Sequence, residues 1–204
     1  LYSLRVWVPI FGWMRTLSTY SSVPAASAVW LPITTENVAV LAGTFARQLA
    51  AEPFKVTVDA AQAMELGLWH DAAEAVMGDT PHQVKRLSST LHAEWEHLER
   101  RACRRLWALA GIPVEEWDDR ANTSLEALLV KIADWTELVL YVFEERVSGN
   151  RAIDRAAARI FDLMDHWLPQ LVAGHGMMVS GWYYDHVAAL RGAEAHALGT
   201  LRGL

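Results

Sequence analysis

The run from Asp59 to Met77, DAAQAMELGLWHDAAEAVM, constrains this chain more than any other stretch. It has no proline and a single glycine, so a helix is its natural state. Its residues are apolar nearly all round, which predicts a buried helix. Yet it ends on His70, Asp71 and Glu74, with Gly78-Asp79-Thr80-Pro81 close behind. Burying an unpaired charge costs on the order of several kcal/mol unless a metal or a counter-charge compensates. These polar groups therefore need a reason to be there.

Helix geometry supplies one. His70 and Glu74 are four residues apart and stack on one face. Asp71 lies about 100° round from His70. An imidazole nitrogen beside a carboxylate oxygen suits a divalent metal such as Mn, Co, Zn or Mg. Glu74, one turn on, is placed to orient or deprotonate a water at such an ion. A second candidate is Asp134. Between Leu125 and Val147 an apolar stripe runs through Leu125, Leu128, Leu129, Ile132, Val139 and Phe143. Asp134 lies opposite that stripe, but its neighbours four residues away, Val130 and Leu138, are apolar too. A buried Asp134 is expected, either as a metal ligand or as the partner of a core arginine.

His-Asp adjacency in a helix, then Ala-x-Glu, then Gly-Asp-x-Pro and a lysine, resembles the HD superfamily of metal-dependent phosphohydrolases. The nearer resemblance is to its bacterial 5'-deoxynucleotidase branch, the YfbR-like type. The matching residues are Trp69, His70-Asp71-Ala72-Ala73-Glu74, Gly78-Asp79-Thr80-Pro81 and Val84-Lys85. A bare His-Asp pair carries no weight; the whole run is specific. Downstream, Lys131-Ile132-Ala133-Asp134 resembles the family's Lys-x-Ala-Asp helix, whose Asp closes the metal site. The similarity is best over residues 38–150, and residues 1–35 match poorly.

The resemblance implies a fold, a chemistry and a set of roles. The fold is all-α, a single-domain HD-type helical bundle over residues 1–204. The activity is metal-dependent release of phosphate from nucleoside (deoxy)monophosphates or related nucleotides. His70, Asp71 and Asp134 would hold the divalent metal (Mn, Co, Mg or Zn), and Glu74 with Asp79 would serve the attacking water. Asp79 is equally readable as a local cap, and Lys85 as its ion-pair partner. Arg15, the best-placed early arginine, and Lys85 would meet the phosphate. A homodimer is the expected assembly.

One departure accompanies the match. The family takes its first metal ligand from a Glu-His-Ser motif on an earlier helix, and this chain has no histidine before His70. No alignment of Ile33 to Ala42 restores one. Asn and Thr oxygens are weaker ligands for a transition metal than imidazole. The site is therefore weakened, rebuilt with an oxygen from Glu36 or Asn37, or no longer catalytic. The alternative function is an impaired HD-fold protein that binds a ligand or partner without turnover. A third is a structural helical dimer with the same residues locked in a buried network.

Bulk properties narrow the classes further. With 204 residues, 52% hydrophobic and 21% charged, the chain suits one globular domain. A net charge of −6 gives no footprint for a nucleic-acid backbone, though a small phosphorylated ligand needs only a local cluster. The lone Cys103 fits a reducing compartment. Its neighbours Arg100, Arg101, Arg104 and Arg105 would lower its pKa, but no His-Asp arrangement points to it. The apolar start LYSLRVWVPIFGWM is interrupted by Arg5 and Pro9 and falls short of the ~20 residues of a membrane span. No signal peptide is expected, and the cytoplasm is the expected location.

Helices are expected to about Ser18, from Thr35 to Ala51, over 59–78, over 90–110, from Thr123 or Ser124 to 149, over 154–173 and over 180–204, with a loop at 19–34. Leu91, Trp95 and Leu98 should face inward, leaving His92 and Glu96 in solvent.

Overall fold

The computed structural model describes residues 31–78 and 88–202, and among these every regular element is a helix. In chain order they are α1 (Leu31–Ala50), α2 (Ala60–Trp69), the single turn α3 (Glu74–Met77), α4 (Ser89–Leu109), α5 (Val114–Thr123) and α6 (Leu125–Val147). After a 3₁₀ turn at Arg151–Ile153 come α7 (Asp154–His166), α8 (Leu168–Ala173) and α9 (Met177–Arg202). The helix expected before Ser18 lies outside the described residues. Residues 31–34, expected as loop, already belong to α1; Pro32 stands in its first turn, where its missing N–H costs nothing.

The centre of the bundle is α6, which packs against α1, α2, α5, α7 and α9. Leu129, Ile132, Ala133, Val139, Leu140 and Val142 carry its buried faces, in agreement with the stripe read from the sequence. Ser124 caps it, its hydroxyl accepting from the Ala127 N–H at 3.1 Å. Buried residues of α1 fall at Val38, Leu41, Ala42, Phe45 and Leu49, the spacing of one helical face. On α7 the same pattern places Ala157, Ile160, Phe161 and Met164 inward. The Tyr183 hydroxyl on α9 donates to the Met164 carbonyl, which ties the last helix to α7.

Two contacts fix α2. At its start Asp59 accepts from the N–H groups of Ala61 and Gln62 at 2.8 and 3.1 Å, while its own N–H donates to Glu126 Oε1 of α6 at 2.9 Å. Near its end Gly67 lies against α1 so closely that a Cβ there would stand 2.6 Å from Ala39 Cα and 3.0 Å from Ala39 N.

The helix expected over 59–78 is broken. It stops at Trp69, and bonds from Ala72 N–H to Trp69 O and from Glu74 N–H to Asp71 O show i→i−3 tightening before α3 resumes. The Gly67 carbonyl accepts instead from His70 Nδ1, at 2.7 Å. Nor is the segment buried all round, since Leu68 and Val76 are exposed. The expected 154–173 helix is likewise interrupted, at Trp167, and α5 was not foreseen because its short sequence VEEWDDRANT carries only three apolar residues, Val114, Trp117 and Ala121. Leu91 and Leu98 are exposed rather than inward, because α4 joins the core through Cys103 and Trp107 in its second half. His92 and Glu96 are at the surface as expected, 3.4 Å apart. No helix among the described residues is long and apolar enough to cross a membrane.

A buried polar pair joins α9 to α6. His186 is 6% exposed, and its Nε2 lies 2.9 Å from Thr136 Oγ1. The Thr136 hydroxyl donates to the Ile132 carbonyl at 2.7 Å, so Nε2 is the donor of the pair. Phe45 and Trp182 flank the ring. Burial pushes the imidazole pKa down to about 3.

Two stability measurements follow. Gly67→Ala should destabilise the protein, since overpacking against backbone typically costs about 1–3 kcal/mol and the propensity gain is at most about 1 kcal/mol. Gly43→Ala should be milder, because its Cβ would meet the flexible Met64 side chain. Equal urea midpoints for the two variants would contradict the close α1–α2 contact. For His186 the unfolded chain takes up the proton first, so its contribution is intact above pH ~6.5. It is lost at up to about 1.4 kcal/mol per pH unit as pH falls toward about 3. His186→Gln should flatten that acid slope in urea titrations at stepped pH relative to the parent.

Candidate active site

The broken end of α2 aims His70 across to α6. With Nδ1 donating to the Gly67 carbonyl, the neutral ring keeps its lone pair on Nε2. The His70 side chain is 13% exposed, and Nε2 is buried. Asp71 Oδ2 stands 2.9 Å from it and Asp134 Oδ1 3.9 Å. The nearer carboxylate pairs with the ring when Nε2 is protonated. The structure thus brings His70, Asp71 and Asp134 together from two helices. It corrects one expectation: the Asp134 side chain is 53% exposed, because its side of α6 reaches the rim of a cavity instead of the core.

The electrostatics follow from this geometry. Burial opposes a charge on His70, but the adjacent Asp71 carboxylate and the charge of Asp134 outweigh it and lift its pKa to about 9. Asp134 is also shifted upward, first by desolvation; His70 and Lys131 oppose the shift and Asp71 adds to it. Nε2 and the two carboxylates are donors of the kind that hold a divalent cation. As they stand, no three His, Cys, Asp or Glu side chains among the described residues take up ion-holding geometry.

Glu74 opens α3, half-buried, its N–H bonded to the Asp71 carbonyl at 2.9 Å. One short turn therefore links it to the proposed ligands. The two candidates for the missing histidine stand in different surroundings. Glu36 is exposed, and the Asn37 side chain is engaged with the Glu137 carboxylate on α6. Glu137 stands one turn beyond Asp134, and desolvation, then repulsion from Asp134, raises its pKa. Its i+3 spacing from Asp134 was the only signal of it in the sequence. Arg15, Asp79 and Lys85 lie outside the described residues.

A cavity of about 360 Å³ opens beside the cluster, walled by α2, α4, α5 and α6. Two cations that the sequence did not single out for a ligand line it, Arg100 of α4 and Lys131 of α6. The Lys131 ammonium also lies 5.3 Å over the Trp167 ring. Cys103 lines the cavity as well, but burial pushes its thiol pKa up, contrary to the expected effect of its arginine neighbours. Arg104 instead pairs with Glu115 and Asp118.

An all-α bundle that sets a His-Asp pair at one helix end against an Asp from the central helix has the HD-type fold. Solved structures share the fold. A protein of Pyrococcus horikoshii OT3 superposes with a TM-score of 0.58 at 19% identity, covering 77% of this chain and 79% of that one. A conserved hypothetical protein of Pyrococcus furiosus gives 0.59 at 19%, covering 78% and 81%. The sequence profile of the YfbR-like 5'-deoxynucleotidases matches residues 35–173, and the chain belongs to that family. Among relatives, a 5'-deoxynucleotidase of Shewanella oneidensis is 30% identical over 118 residues, 55% of this chain and 60% of that enzyme. The 5'-deoxynucleotidase YfbR of Escherichia coli O1:K1 / APEC is 30% identical over 139 residues, 63% and 70%. The match thus spans about 60% of the Shewanella enzyme's length.

In the metal-free protein the His70 imidazole should titrate near pH 9, and Asp71→Asn should move that midpoint downward. Proton NMR of the ring C–H signals across pH 5–10 reads both; an unshifted midpoint in the variant would contradict the pairing.

Proposed function

We propose that this protein is a metal-dependent phosphohydrolase acting on nucleoside monophosphates, the deoxy forms by analogy with its relatives. The observation that carries the proposal is the buried Nε2 of His70 facing two carboxylates, Asp71 and Asp134. His70, Asp71 and Asp134 would hold the divalent metal, with the Gly67 carbonyl fixing the imidazole tautomer that ligation requires. When bound, such an ion offsets phosphoryl charge and lowers the pKa of a water. Glu74 would take the proton of the attacking water on its carboxylate. Arg100 and Lys131, on the walls of the same cavity, would face the phosphate oxygens. Nucleotide chemistry and an unpaired Cys103 suit the cytoplasm.

The absence of a first-helix histidine favours a second reading, binding without turnover. Loss of one ligand should weaken the ion more than loss of a supporting partner, which typically costs about 10–100-fold. Isothermal titration with Mn or Co should show weak, reversible binding that His70→Ala abolishes. Phosphate release from nucleoside monophosphates should require the added metal. Glu74→Gln should cut turnover about 10²-fold or more and leave the metal titration unchanged, because it removes a base and not a ligand. Metal-replete protein that releases phosphate from no nucleotide tested would hand the assignment to the binding-only alternative.

A further inference from the structure

The outer face of the last helix has the wrong composition for a surface left in water. Val179, Trp182, Tyr183, His186, Val187 and Leu190 turn one side of α9 into the core. The opposite side of such a helix normally carries charged and polar residues. Here it carries Met177, Gly181, Tyr184, Ala188, Gly192 and Ala195, all exposed. At about 100° per residue these positions fall within roughly a third of the helix circumference. Met177 is 90% exposed and Tyr184 57%. From Met177 to Ala195 the charged residues on this face are Asp185 and Arg191 alone, because Glu194 turns away to Arg146. The glycines sharpen the anomaly. A glycine inside a helix costs about 1 kcal/mol relative to alanine. Yet a Cβ at Gly181 or Gly192 would meet nothing within 4 Å. No contact among the described residues asks for a glycine at either position, whereas a surface arriving from outside would.

The order of residues along this face indicates what that surface is. We propose that it is the interface between two copies of the chain, their α9 helices packed antiparallel about a twofold axis at Ala188. In such a pair, residues equally far on either side of Ala188 face one another across the axis. Asp185 stands three residues before Ala188 and Arg191 three after, so opposite charges meet twice. Arg191 already engages Asp165, but a guanidinium has five N–H donors and can take a second carboxylate. Tyr184 stands four before and Gly192 four after, so a large ring meets a bare backbone, again twice. Gly181 and Ala195 form the next matched pair, and small residues there let the helices approach closely. A parallel pair would instead set Asp185 against Asp185 and Tyr184 against Tyr184, and like charges across an interface are costly. No residue of α9 lines the cavity beside His70, so this pairing leaves the cavity open and does not depend on what the cavity binds.

Sedimentation equilibrium of the full chain, at micromolar concentration in reducing buffer, should give twice the mass of one chain. Asp185→Arg sets like charges against each other at both ends of the contact and should weaken association at least about tenfold. Disulfide trapping reads the register without relying on that variant. Ala188→Cys, on the axis, should link two copies on mild oxidation, while the parent, with Cys103 alone, should not. Tyr184→Cys should not link to itself, since its two copies would stand roughly 12 Å apart along the helices, beyond disulfide reach. Tyr184→Cys mixed with Gly192→Cys should link. A single-chain mass would leave the face to some other partner and overturn the proposal. So would association that Asp185→Arg leaves unchanged, absence of linkage at Ala188→Cys, or linkage of Tyr184→Cys to itself as readily as at Ala188→Cys.

Discussion

The close approach of α1 and α2 at Gly67 holds the rest of the structure in place. No side chain larger than hydrogen fits between that residue and the Ala39 backbone. The contact sets how deeply α2 sits, and the Asp59–Glu126 hydrogen bond at the other end sets where it lies along α6. Between these two fixings His70 has little choice of position. The Gly67 carbonyl then takes the His70 ring nitrogen, which both ends the regular helix and chooses the tautomer. A packing constraint has become an orientation constraint on a functional group.

What that orientation produces is a field rather than a finished cage. Two carboxylates beside a buried imidazole hold its proton to about pH 9, and the same negative potential would favour a divalent cation in its place. The fourth direction, supplied in the family by a histidine on the first helix, is different here. The Asn37 side chain engages Glu137, a polar link between α1 and α6. The family is settled by residues 35–173, while the activity depends on how this altered shell behaves with an ion.

Much of this was legible in the sequence. The helical periodicities of α1, α6 and α7 follow from their apolar spacing, which survives in the structure because each buries the stripe it displays. Legible too was the motif from Trp69 to Lys85, since its residue types and spacing are unusual enough to identify a family. Less legible were places where a tertiary contact overrode local preference. The helix expected to run through His70 gives way because a side chain competes for a backbone carbonyl. Leu91 and Leu98 read as core but have no core to enter.

The sequence by itself determined an all-α fold and the family, and it named His70, Asp71 and Asp134 as the candidate site, because period and motif are properties of local order. Only the tertiary structure decided that Asp134 sits at a cavity rim and that the Glu137 carboxylate engages Asn37. It also decided that the rings of Trp107 and Trp117 meet edge-on beside the same cavity. Those facts depend on which helices meet. Residues from Leu66 to Asp134 share one wall only after α2, α4, α5 and α6 have packed, and no local pattern records that meeting.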